Sequence, residues 1–525
     1  MKALLMHRDR DFDINAKPPG NEAQLSQDME LNTLLQAMAA DDPFLLDVSK
    51  KALLSGLGNQ VDTIVYRQEI VKDCLANRKL IRALYDIVVD AIEQKKKHYF
   101  GFSNYPSGIL SGSIETLELF VDVLKKLRTI AESEAPQFQS EGFTNLFAML
   151  KAEFSDDYIA RIAAHLSDLR FKHGVLVSAQ PGIGNQGTNY VLRQPRSPGP
   201  NWLDRLLGRA PASFTFHIAD RDQAGARALS QLRDRGIHLA ANALAQSMDH
   251  IVAFFGMLRT ELAFYVGCVN LQERLDAMAT PICFPVPQPA DLRGHRFDEL
   301  FDVCLALRMD KRPVGNSVDA DRRCLVIVTG ANQGGKSSFL RSIGVAQLMM
   351  QCGMFVGAQA FAAEICAGLF THYKREEDAT MTSGKFDEEL ARMNEIAEWV
   401  RPNSMLLFNE SFASTNEREG SEIARQIVSA LLERRVKVFF VTHQYQFSHD
   451  FFASKREDVL FLRADRQADG TRTFRLVAAE PLETSYGEDL YREIFEDPTN
   501  GRSGERGAPS PTSIDEVDES SSSSP

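Results

Sequence analysis

The residues best placed to do chemistry form one string, Gly330-x-x-x-x-Gly335-Lys336-Ser337, between an apolar run at 325–328 and a stretch of helical periodicity reaching about Gly353. Glycines here let backbone N–H groups curl around phosphate oxygens, where side chains would block the approach. A helix start adds partial positive charge. Lys336 would reach the β- and γ-phosphates, and the Ser337 hydroxyl would ligate Mg²⁺. The spacing matches a phosphate-binding loop in full and predicts ATP with Mg²⁺ as its ligands.

Two further apolar strands end in polar residues. The run MLLF at 405–408 stops at Asn409-Glu410. P-loop ATPases usually carry an acid here to support Mg²⁺, often followed by a glutamate that polarises the attacking water. Glu410 fits the second role. Asn409 fits the first less well, because a neutral amide oxygen is a weaker Mg²⁺ partner than a carboxylate. The run VKVFFVTH ends at Thr442-His443, where a histidine can sense the γ-phosphate, as in ATPases of the ABC type. Taken singly, each pair could be a solvated strand end; their order along the chain favours one site.

These motifs need a scaffold. From about 290 to 497 short apolar strands alternate with helices, which predicts a largely parallel sheet with helical cover. Four prolines at 281, 285, 287 and 289 mark a boundary before it. Residues 30–170 read as a helical bundle. Leu31, Leu34, Leu35 and Met38 share one helix face, and Ser113 is a candidate N-cap for a later helix. Between 171 and 219, FKHGVLVSA and SFTFHIA read as strands separated by Gly- and Pro-rich stretches. No proline occurs between Pro211 and Pro281, so a long buried helix or a close helix pair is expected there. The domain plan is a loose lead-in at 1–29, a mainly α-helical core and lever at 30–280, an α/β P-loop ATPase domain at 281–499, and a disordered acidic, Ser-rich tail at 500–525.

The 525 residues suit two or three domains, and a hydrophobic content of 44% with 25% charged residues is that of an ordinary soluble protein. The net charge of -12 gives no global basic footprint, so any nucleic-acid contact must be local. Seven scattered cysteines with no CxxC spacing read as reduced thiols, not as a disulfide frame or zinc site. The N-terminus lacks a signal-peptide pattern and no run reads as a membrane span, which makes a cytoplasmic location the expectation.

The motifs in this order resemble the MutS family of DNA mismatch-repair proteins. TGANQGGKSSFLRSIGVAQLMMQCGMFVGA is similar to that family's extended P-loop segment, including Asn332 ahead of the paired glycines Gly334 and Gly335. FNESFASTNEREG resembles its DE…GTST…DG stretch, with Thr415 and Gly420 matching, and FFVTHQYQF its THY/THF segment. Ser485-Tyr486-Gly487 resembles the SYG element near the end of the ATPase domain. YRQEIVKDCL at 66–75 resembles part of the family's helical core. The resemblance implies an ABC-like ATPase domain that works as a homodimer, with catalytic Glu410 and His443 and a metal held by Ser337 and Asn409. It places Gly330, Asn332, Gly334, Gly335, Lys336, Ser337 and Ser338 around the nucleotide, with Ser383 of MTSGKFDEELARM reaching the partner's nucleotide in trans. That family's serine spacing is not reproduced, so Gly384 is the other candidate. Asn409 is a second departure.

Against that family the sequence is expected to start at the core, and no Phe-x-Glu reading motif stands in an N-terminal setting. The resemblance therefore predicts a switch for DNA of unusual, branched structure more than a reader of single mismatches. Residues 170–235 carry ten basic side chains against four acidic, among them Arg193, Arg196, Arg205 and Arg209, a cluster that phosphate contacts need and that a solvated loop would equally show. The alternative is a nucleotide-gated protein scaffold with no direct DNA binding.

Overall fold

The computed structural model describes residues 1–98, 105–172, 174–193, 215, 217–375, 384–467 and 471–482. Eight helices open the chain: α1 (Glu22–Asp28), α2 (Leu31–Ala39), α3 (Pro43–Ser55), α4 (Val61–Ala76), α5 (Arg78–His98), α6 (Pro106–Glu134), α7 (Glu141–Glu153) and α8 (Asp156–Leu169). Local chemistry sets several of their starts. Asp42 accepts the N–H groups of Phe44 and Leu45 ahead of Pro43, and Ser140 and Ser155 cap α7 and α8. The predicted stripe of α2 is buried at all four positions. Ser113 is no cap: α6 begins seven residues earlier at Pro106, whose fixed φ suits a first helical position, and Ser113 is buried within the helix.

Residues 1–29 are not a loose lead-in. Ala3, Leu5, Met6 and Phe12 are buried, and α1 follows. Their partners lie far along the chain. Glu261 accepts the N–H groups of Leu5 and Phe12, while Tyr66 and Tyr265 donate hydroxyl hydrogen bonds to the carbonyls of Leu4 and Leu5. Arg67, fully buried, donates to the Met6 carbonyl and to His7 Nε2. Arginine can only donate, so His7 carries its proton on Nδ1.

The insert forms an antiparallel hairpin of β1 (Leu176–Pro181) and β2 (Gly187–Arg193). Its second strand is GTNYVLR, which runs between the Gly- and Pro-rich stretches at 180–187 and 194–201 and is not among the strands expected from the sequence. Of SFTFHIA, positions 213, 214 and 216 lie outside the described residues, as do Arg196, Arg205 and Arg209; 215 and 217–219 are not strand. One helix, α9 (Gln223–Ala277), spans 55 residues and therefore about 80 Å. The hairpin packs near its start, where Val177 lies against Gly236. Its second half, from Phe254, is embedded in the bundle. By length and composition α9 could cross a membrane, contrary to the reading of the sequence, but its most apolar window is 67% buried inside the molecule, as in a core helix.

The rest is α/β, with β3 (Val286–Gln288), β4 (His295–Leu300), α10 (Val303–Met309), β5 (Asn316–Asp319), β6 (Leu325–Thr329), α11 (Lys336–Gln351), β7 (Ala360–Glu364), β8 (Leu369–Tyr373), α12 (Lys385–Trp399), β9 (Met405–Asn409), α13 (Glu417–Glu433), β10 (Lys437–Val441), α14 (Tyr445–Ala453), β11 (Val459–Arg466) and β12 (Arg472–Ala478). A six-stranded sheet runs β12-β11-β6-β10-β9-β8, parallel except for β12. A second, mixed sheet runs β3-β7-β4-β5. Side chains of a central strand alternate between two cores. Leu407 and Phe439 join a cluster continuous with the helical bundle, while Leu406, Phe408 and Phe440 face the side covered by α12, α13 and α14. The expected boundary near residue 281 thus has one hydrophobic core running across it.

Candidate nucleotide-binding site

Parallel pairing brings the three motif strands out at one end. Val441 stands opposite both Val328 and Asn409, so the residues that follow β6, β9 and β10 converge. The carboxyl ends of parallel strands are where α/β sheets hold ligands.

The loop after β6 is shaped as a cradle. Gly330 and Gly335 have φ of 108° and 86°, the left-handed region that glycine adopts at low cost. A Cβ on Gly330 would meet the Ala464 backbone nitrogen at 2.8 Å, so no other residue fits there. Lys336 opens α11 and is buried. Its ammonium donates to the carbonyls of Gly330 and Ala331 at 2.9 and 2.8 Å, folded back over the loop. Burial pulls its pKa down to about 8.

Asn409 and Glu410 take different directions. The Ser337 hydroxyl donates to Asn409 Oδ1 at 3.2 Å, so the two residues expected at the metal are neighbours. Glu410 Oε1 lies 2.9 Å from His443 Nε2. That hydrogen bond, with Lys336 nearby, holds the Glu410 carboxyl below the usual range and keeps it an acceptor. A cavity of about 530 Å³ opens beside the loop and is lined by Asn332, Gly334, Gly335, Lys336, Ser337, Ser338 and Glu410. Gly330, Asn409 and His443 adjoin it through the bonds just described. Ser383 and Ser485-Tyr486-Gly487 lie outside the described residues.

Several contributors carry no local motif. The far wall of the cavity is apolar, with Phe301, Leu305, Met309 and Val314, and Asn316 and Phe474 close it. Asn316 accepts the Leu476 N–H at 2.7 Å, tying β5 to β12. Arg472 donates to Gln333 at 2.7 Å and adds positive charge beside Lys336. The pairing of β12 beside β11 brings Arg472 and Phe474 to the loop, which no spacing in the chain announces.

Comparison with known proteins gives two family models in sequence: MutS2 N-terminal domain over residues 59–278 and MutS domain V over residues 326–494. The chain belongs to the MutS family. This MutS-family chain is 27% identical over 257 residues to a DNA mismatch repair protein MutS of Porphyromonas gingivalis, covering 43% of the chain and 28% of the relative. A DNA mismatch repair protein MutS of Thermus aquaticus is 30% identical over 166 residues, 32% of the chain and 20% of the relative. The human MutS protein homolog 4 is 28% identical over 368 residues, 64% of the chain and 37% of the relative. The matches thus span between a fifth and about two fifths of these relatives' length.

Proposed function

We propose that this MutS-family chain binds ATP with Mg²⁺ in the cavity beside Lys336 and hydrolyses it, and that the cycle moves the helical arm α9 to grip or release DNA. The observation that carries the reading is the Glu410–His443 pair, 2.9 Å apart, standing beside a glycine cradle and a buried lysine. The cradle, the helix start at Lys336 and the donor set Ser337 and Asn409 fit a magnesium nucleotide. Bound Mg²⁺ would offset phosphate charge. Lys336 would leave the loop carbonyls for phosphate oxygens, and Asn332 and Ser338 would line the phosphates. The apolar wall with Leu305, Met309 and Val314 suits the base. Glu410 would accept a proton from the attacking water, oriented by His443.

The ABC-like assembly, in which two copies close over shared nucleotides with Ser383 as the trans contact, belongs to this reading, as does a cytoplasmic site of action. DNA enters it from the names of the relatives and from the far end of α9, where Arg193, Arg227, Arg233 and Arg235 are exposed beside the hairpin. Branched DNA is the preferred ligand.

The test is ATP turnover by the purified chain alone and with branched, mismatched and plain duplex DNA, with Glu410→Ala as control. Turnover that one DNA form alters and Glu410→Ala abolishes supports the reading and names the ligand. Turnover indifferent to every DNA rejects the DNA part and leaves a nucleotide-gated scaffold. Nucleotide binding without turnover rejects hydrolysis.

A further inference from the structure

Glu389, early in α12, is 2% exposed, and both of its carboxylate oxygens are engaged. Oε2 accepts the Phe412 N–H at 2.7 Å, and Oε1 accepts the Ser414 hydroxyl at 2.8 Å. Its backbone carbonyl lies 2.9 Å from His372 Nε2. A carbonyl only accepts, so the imidazole proton sits on Nε2, and the single hydrogen of the Ser411 hydroxyl faces both the His372 carbonyl at 2.6 Å and Nδ1 at 2.7 Å. Burial, with Arg392 nearby, pushes His372 down to about 4, so this neutral tautomer holds at physiological pH.

All of these bonds converge on the loop that carries Glu410. Glu410 and Phe412 have φ of 54° and 60°, a left-handed backbone that non-glycine residues keep only when their surroundings over-determine it. The Glu410 N–H donates to the Val441 carbonyl, and Gln444 Nε2 donates to the Phe412 carbonyl at 2.8 Å. The Phe412 ring is fully buried against the His372 ring. Removing Glu389 would strand a buried N–H and release one side of a strained turn.

We propose that Glu389 is a positioning residue for hydrolysis: it holds the 410–414 turn in the left-handed form that aims the Glu410 carboxylate at His443 and the cavity. The inference rests on the ATPase reading above. Glu389 lines no part of the nucleotide cavity, so its effect passes through Glu410. Because a helix moves as a rigid unit, a displacement of α12 shifts Glu389 and with it the turn. Loss of the Glu389 contacts therefore changes turnover and leaves nucleotide affinity alone.

The test compares wild type, Glu389→Ala, Glu389→Gln and Ser414→Ala in the full chain, measuring kcat, KM and fluorescent-ATP binding, with amide hydrogen exchange on the 410–414 loop. Glu389→Ala is expected to lower kcat about 30- to 100-fold, since small misplacement of a catalytic group is costly. Its nucleotide affinity stays within about threefold. Glutamine can accept from Phe412 and donate to Ser414, so Glu389→Gln restores most of the turnover. Exchange at 410–414 quickens in Glu389→Ala while the strands at 405–409 and 437–441 stay protected. If Glu389→Ala does not fold, Ser414→Ala shows the same split at about fivefold in kcat. Unchanged kcat in the alanine variants, or kcat and affinity falling together with general loss of protection, overturns the proposal while the ATPase reading stands. A wild-type chain with no turnover overturns both.

Discussion

Arg341, in the helix that follows the phosphate-binding loop, is ion-paired with Glu30 at the entry to α2, 311 residues away in sequence. The same guanidinium donates to Asp302 at 2.6 Å, and Arg308 reaches Glu30 at 3.0 Å. The helix that opens at Lys336 is thus bound directly to the N-terminal helices that pack on α9. Asp302 is 3% exposed and caps α10 by accepting the Leu305 N–H. Burial raises its pKa against the pull of Arg341.

Arg341→Ala should therefore be strongly destabilising, by about 3–5 kcal/mol, because it leaves a buried carboxylate unpaired. Adding Asp302→Asn should recover part of the loss, since the remaining partner is then neutral. Urea unfolding of the two variants checks this; a loss under about 1 kcal/mol in Arg341→Ala would mean that water reaches Asp302.

Lys336 has a pKa near 8 in the free site, with burial as the main cause. Phosphate oxygens would raise it, so binding takes up a proton above pH 8 and none well below it. Nucleotide affinity should be flat near pH 7 and fall by up to about tenfold per unit above pH 8. Fluorescent-ATP titrations from pH 6.5 to 9.5, with Lys336→Met as the weakly binding and flat control, measure the slope.

Asn409 offers the Ser337 side of the site a neutral oxygen. Asn409→Asp adds a charge of the kind Mg²⁺ favours and should lower the Mg²⁺ concentration for half-maximal turnover about three- to tenfold. Turnover against Mg²⁺ at saturating ATP is the measurement. No change would remove Asn409 from the metal site.

Glu261 is buried, and burial pushes its carboxyl from 4.5 up to about 7 despite backbone N–H bonds from Leu5 and Phe12. Between those values the folded chain holds a proton that the unfolded chain has lost. The contribution of this group to stability is therefore greatest below about pH 4.5, falls as pH rises to 7, and is flat above. The span is on the order of 3 kcal/mol. Unfolding free energies of wild type and Glu261→Gln from pH 5 to 8 should converge or cross as pH rises, and parallel curves would show that Glu261 does not titrate in this window.

The phosphate-binding loop, the strands ending at Asn409 and Val441, and the stripe of α2 were readable because each depends on residues within a few positions of one another. A glycine that must take φ of 108°, an apolar run buried on both faces and an i, i+3, i+4 pattern are local statements. The start of α6, the strand Gly187–Arg193 and the packed N-terminus were not. Ser113 is a better isolated cap than Tyr105, and Leu5 and Phe12 show no period of either kind. Their places are set by Glu261, Arg67 and Tyr265, which arrive from distant helices.

The same division runs through the site. Local spacing sets a glycine cradle, a lysine and a hydroxyl after one apolar strand and a glutamate at the end of another, because strand and helix periods leave them nowhere else. The packed fold alone brings Glu410 to His443, closes the cavity with Asn316 and Phe474, and bonds Glu389 to the turn behind Glu410. Those contacts join elements that the chain visits far apart, and a hydrogen bond between them depends on sheet order and helix packing, which no local pattern encodes.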